Sequence, residues 1–118
     1  MPRRLALALP AVLAACSPTR IAGLLTPRGG SETREDLAYG PLARHRLDLT
    51  LPGQVTAATP LVVFAYGGSW RTGARGDYAF LSRVLAARGI AVAVPDYRLW
   101  PEGRWPDFIE DVALATAW

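Results

Sequence analysis

The run Leu61-Val-Val-Phe-Ala-Tyr66, followed at once by Gly67 and Gly68, constrains this chain more than any other stretch. Six apolar or aromatic residues without polar alternation fit a central strand of a parallel sheet, covered on both faces. Glycines directly after such a strand clear the Cβ where a ligand or a second backbone segment comes close. In an open α/β sheet, ligands bind in the crevice beyond the carboxyl ends of the strands. Gly67 and Gly68 therefore mark a candidate site, with a plain tight turn as the simpler alternative.

The neighbouring stretches supply the rest of a sheet. Arg46-Leu-Asp-Leu-Thr-Leu51 alternates strictly and predicts a half-exposed antiparallel strand at a sheet edge, turned by Pro52-Gly53. After a loop over Arg71–Gly76, Asp77 is a good N-cap, and Tyr78, Leu81, Val84 and Leu85 recur at helical spacing. Gly89 stands at the stop position of that helix. Ile90-Ala-Val-Ala-Val94 is a second fully apolar run, so strand, helix and strand make a βαβ unit with a right-handed crossover expected. An aromatic-rich loop over Pro95–Trp105 leads to Pro106 and a further helix carrying Phe108, Ile109, Val112 and Ala115. An α/β sheet needs more strands than these to cover both faces, so the fold reads as unfinished.

Composition matters mainly for what it excludes. Hydrophobic residues make up 51% of the 118, enough for a packed core. The 13 basic residues are all arginines, and two of them, Arg3 and Arg4, open the chain. The rest is near neutral, so no nucleic-acid surface is expected. Arg3-Arg4, the apolar run Leu5–Ala15 and then Cys16 have the layout of a secretory signal, too short for a stable membrane span. Leu13-Ala-Ala-Cys16 resembles the lipobox of bacterial lipoproteins, in which the cysteine sulfur takes the lipid. That resemblance implies a membrane lipid anchor at Cys16 in the cell envelope, on the outer membrane facing the periplasm or at the cell surface. Cys16 is the only cysteine, which excludes an internal disulfide, and one His and one Cys far apart offer no metal site. No cofactor is expected. The resulting division is a signal over 1–16, a flexible tether over 17–36 and the folded domain over 37–118.

Tyr66-Gly-Gly-Ser-Trp70, Leu85-Ala-Ala-Arg-Gly89, Val94-Pro-Asp-Tyr-Arg-Leu99, Pro101-Glu102, Pro106 and Glu110-Asp111 together resemble the amino-terminal part of an α/β-hydrolase. The likeness runs from about Leu47 to Trp118 and is nearest to carboxylesterases related to hormone-sensitive lipase, feruloyl esterases, kynurenine formamidases and prenylcysteine methylesterases. It implies a serine hydrolase that cleaves small-molecule carboxylic esters through an acyl-enzyme. In that family the loop after the third strand supplies oxyanion-hole amides, here those of Gly67 and Gly68, with Ser69 as a third candidate. Tyr66 stands where a histidine is usual, but backbone donors survive a change of the preceding side chain.

The family's nucleophile sits in Gly-x-Ser-x-Gly, and no such motif occurs here. His45, the only histidine, comes too early for the catalytic one and reads as an exposed residue at a strand edge. Asp96, Arg98, Glu102 and Asp111 resemble the family's structural polar network. The expectation is a portion that stops before the nucleophile and is inactive alone. An aryl formamidase-type amide hydrolase and a non-catalytic, surface-tethered binding protein on the same fold are the alternatives.

Overall fold

The computed structural model describes residues 18–25 and 29–118; the signal expected over 1–16 and the lipobox-like Cys16 lie outside the described residues. The elements are helix α1 (Pro18–Leu25), strands β1 (Glu32–Ala38), β2 (Arg46–Leu51) and β3 (Leu61–Val63), a 3-10 turn over Arg75–Tyr78, helix α2 (Ala79–Ala86), strand β4 (Ala91–Pro95) and helix α3 (Asp107–Ala117). The strands form one mixed sheet in the order β1-β2-β4-β3. β4 runs antiparallel to β2 and parallel to β3, so β3-α2-β4 is the expected βαβ unit.

Every residue of β4 is buried, as its unbroken apolar run predicts. Val92 and Val94 form the main core with Tyr66, Tyr97 and Phe108. A second cluster joins Tyr39 and Leu47 to Ala115 of α3. On α3, Phe108, Asp111 and Ala115 are buried at spacings of three and four, one helical face laid on the sheet. Gly89 takes φ +82 just beyond α2, where an L-residue would be strained.

Four expectations need correction. The stretch 17–36 is not simply a tether: it holds α1, and from Glu32 onward it is strand, paired from Glu32↔Leu51 to Ala38↔Arg46. Glu-Thr-Arg-Glu-Asp-Leu-Ala is almost wholly exposed, so only backbone pairing makes it a strand, and no apolar period announces it. A register shift between Arg34 and Leu37 puts Asp36 at φ +59, where its amide donates to Asp48 Oδ1 at 2.9 Å. β2 is antiparallel as expected, yet β1 covers its outer side and takes the edge.

The run 61–66 is strand only to Val63, and Leu61 and Val62 remain 59% and 37% exposed. Among the described residues β3 has one strand neighbour, and after Phe64 (amide to the Ala93 carbonyl, 2.8 Å) the chain leaves the sheet. Finally, Asp77 lies inside the 3-10 turn rather than capping α2, which starts at Ala79 without a side-chain cap.

Candidate active site

Beyond β3 the chain turns inward at Tyr66, which is 2% exposed, and winds as a tight loop to Gly73. The Gly68 carbonyl accepts the amides of Arg71 (3.0 Å) and Thr72 (3.2 Å) and the Thr72 hydroxyl (3.2 Å). This winding needs Gly68 at φ +145, with a Cβ there falling 2.1 Å from the Thr72 carbonyl oxygen. Only glycine fits. Ser69 and Trp70 follow at φ +54 and +62, an unfavourable region for residues with side chains, and such conformations persist where the surroundings over-determine them.

Trp70 supplies those surroundings. Its carbonyl accepts the Trp100 amide at 2.7 Å. Its indole stacks on Phe108 with centroids 5.0 Å apart and meets Tyr97 edge-on at 5.9 Å. Among the described residues, the amides of Gly67, Gly68 and Ser69 meet no acceptor. The three residues singled out in the sequence thus lie together, beyond the carboxyl end of β3, in a loop held from both sides. Adjacent unpaired amides on a rigid loop can receive an anionic oxygen without reorganising.

Beneath the loop is a polar network that reaches all four strands. The Tyr66 hydroxyl donates to Asp96 Oδ1 at 2.5 Å, just past β4. Asp96 also accepts the Arg75 amide at 2.8 Å and the Arg75 guanidinium, which reaches on to Asp48 of β2 (2.8 Å) and Asp36 of β1 (2.9 Å). The Tyr97 hydroxyl donates to the Tyr66 carbonyl, and the Tyr39 hydroxyl to the Asp96 carbonyl. Burial first, then the bond to Asp96, push the Tyr66 hydroxyl pKa far above its ordinary value, so it stays a neutral donor. Tyr66 is therefore a support of the loop, buried below it. Asp96 holds the structural place expected of it; Arg44 and Arg75, which complete the network, carry no local sequence signal.

His45 corrects the expectation of an exposed strand-edge residue: it is 4% exposed. A turn returns the chain over Gly40, where a Cβ would lie 2.3 Å from the His45 Nδ1, and packs the imidazole 4.9 Å from the Tyr39 ring. Nδ1 accepts the Leu42 amide at 3.3 Å, which leaves Nε2 to carry the proton and donate to Asp111 Oδ1 at 2.9 Å. Both nitrogens are engaged, so His45 is not available as a general base for Ser69 or any other hydroxyl. Asp111 also accepts the Arg98 amide and Nε at 2.9 Å and Nη2 at 2.8 Å. Burial alone would raise the Asp111 pKa, but the hydrogen bonds from Arg98 and His45 outweigh it and hold the carboxyl below its ordinary value. Glu102, by contrast, is exposed and belongs to neither network.

The same region of the chain is shared with known proteins. The BD-FAE family profile matches residues 47–118. Isoprenylcysteine alpha-carbonyl methylesterase of Arabidopsis thaliana is 39% identical over 82 residues, which cover 70% of this chain and 19% of that protein. Esterase LipC of Mycobacterium tuberculosis is 46% identical over 65 residues, covering 53% of this chain and 16% of its own. Esterase B of Lactobacillus rhamnosis superposes with a TM-score of 0.74 at 25% identity, over 90% of this chain and 34% of that one. The chain thus spans about a fifth of the length of the curated relatives it matches.

Proposed function

This chain belongs to the BD-FAE family of α/β-hydrolase proteins, and from that premise we propose that it serves a carboxylic ester hydrolase working through a serine acyl-enzyme. The observation that carries the reading is the rigid loop whose Gly67, Gly68 and Ser69 amides are not used within the described fold. Attack on an ester carbonyl turns its oxygen into an oxyanion. Amides already fixed in place stabilise that charge, and losing one such donor typically costs about 3–4 kcal/mol of barrier. Gly68 fixes the winding, while Trp70 and Tyr66 hold the loop from above and below.

In this reading the nucleophilic serine, its base and its acid are contributed by polypeptide beyond these residues. The 118 residues contain no Gly-x-Ser-x-Gly, and their single histidine is committed to Asp111. The methylesterase and esterase relatives favour an ester over an amide substrate. Attachment of a lipid at Cys16 would hold the enzyme at a membrane surface of the cell envelope; the Leu13-Ala-Ala-Cys16 motif supports this.

Gly67 offers the cleanest test, because a Cβ there meets nothing within 4 Å. In the full-length protein Gly67→Ala keeps the amide and should retain most activity on a p-nitrophenyl ester. Gly67→Pro deletes the donor and should lower kcat and kcat/KM together by on the order of a hundredfold. Near-normal turnover by a folded Gly67→Pro enzyme would remove the amide loop from the mechanism.

A further inference from the structure

We propose that Arg44 is a positioning residue for the amide loop, fastening its two ends to each other with one guanidinium. The inference rests on the reading of Gly67–Ser69 as oxyanion donors. Arg44 Nη2 donates to the Tyr66 hydroxyl at 2.9 Å and to the Gly73 carbonyl at 3.3 Å, the residues at which the loop begins and ends. Its Nε donates to the Tyr97 carbonyl at 2.8 Å, and Nη2 lies 3.7 Å from Asp96 Oδ1. Those ends are also in direct contact: Gly73, at φ +114, lies so close that a Cβ would stand 2.7 Å from the Tyr66 ring. The loop is an arch, and Arg44 spans its base.

The chemistry of this position asks for arginine. Acceptors on three residues lie around one planar group, and a guanidinium offers five donors in a rigid fork. A lysine ammonium can replace the charge but not the fork. Arg44 sits outside both apolar clusters and its side chain is 29% exposed, so its loss opens neither apolar core. Without Arg44, Tyr66 keeps its bond to Asp96, whereas the Gly73 and Tyr97 carbonyls lose the Arg44 donor. One end of the arch is then held directly at Asp96, and the other only through Arg75, two residues beyond Gly73. Gly67–Ser69 lie between the two, and a displacement of about 1 Å at a reacting centre can lower turnover by on the order of a hundredfold.

The test uses the full-length enzyme, with kcat expressed per active site titrated by a fluorophosphonate, so that misfolded protein does not count. Arg44→Met should lower kcat per site by about ten- to a hundredfold with KM changed less than about twofold, and Arg44→Lys should fall between it and wild type. The decisive measurement is Arg44→Met in the Gly67→Pro background. If Arg44 acts through the amides, its loss there must be several-fold smaller than in wild type. Equal losses in the two backgrounds, or full kcat per site in Arg44→Met while Gly67→Pro is impaired, overturn the role of Arg44 alone. Full turnover by Gly67→Pro overturns the oxyanion reading and this inference with it. Should Arg44→Met fail to fold, Arg44→Lys is read by the same criteria.

Discussion

Adding a single methyl group at Gly68 should disable the loop, whereas the same change at Gly67 should not. At position 68 the new Cβ would stand 2.1 Å from the Thr72 carbonyl oxygen and 2.8 Å from both its carbon and the Thr72 hydroxyl. Two of those three atoms are backbone, so no side-chain rotation relieves the contact. The residue would also have to hold φ +145, and a sparsely populated backbone conformation costs about 1–3 kcal/mol. Relief of the clash requires the 68–72 winding to open, which breaks the bonds from the Arg71 and Thr72 amides to the Gly68 carbonyl. Each is worth about 1 kcal/mol net.

If the winding is kept, the strained backbone costs about 1–3 kcal/mol with the clash added to it; if it opens, the two lost bonds cost about 2 kcal/mol and the amide loop is displaced. Gly67 has no positive φ and open space around it, so Gly67→Ala should stay within about 1 kcal/mol of wild type. Urea denaturation monitored by tryptophan fluorescence measures the first outcome, and turnover of a short activated ester the second. Gly68→Ala matching Gly67→Ala in both midpoint and kcat would show that the winding at Gly68 is not enforced by its contacts.

Asp111→Ala removes the shared acceptor of His45 and Arg98 in a nearly fully buried site, and should cost about 3–5 kcal/mol in equilibrium unfolding. Because the folded pKa of Asp111 lies below its ordinary 3.8, its contribution is complete above about pH 4 and fades as the pH falls through the lower folded value. Asp111→Asn should therefore flatten stability against pH on that acid limb; an unchanged limb would move the acid sensitivity to another carboxylate. Metabolic labelling with a fatty-acid analogue should mark the wild-type protein and not Cys16→Ser, and equal labelling of both would exclude lipidation at that thiol.

Local patterning was enough to locate β4, α3 and the turn at Gly89, because burial of each depends on residues that repeat within one element. Of the unbroken run Ile90–Val94, Ala91–Val94 are buried in β4, and the apolar spacing after Pro106 lays Phe108 and Ala115 on the sheet. Gly67 and Gly68 were legible as a candidate site for the same local reason: two glycines end an apolar run. Their family resemblance extended that reading to the function proposed for their amides. What the sequence did not disclose depends on residues far apart along the chain. β1 is polar and becomes a strand only by pairing with β2. His45 looks like a surface residue until Asp111, 66 positions later, arrives beside it. Arg44 has no pattern of its own, yet Tyr66, Gly73 and Tyr97 bring three acceptors to one guanidinium. A hydrogen bond between distant residues leaves no period in the sequence, since its partners are chosen by where the packed sheet delivers them.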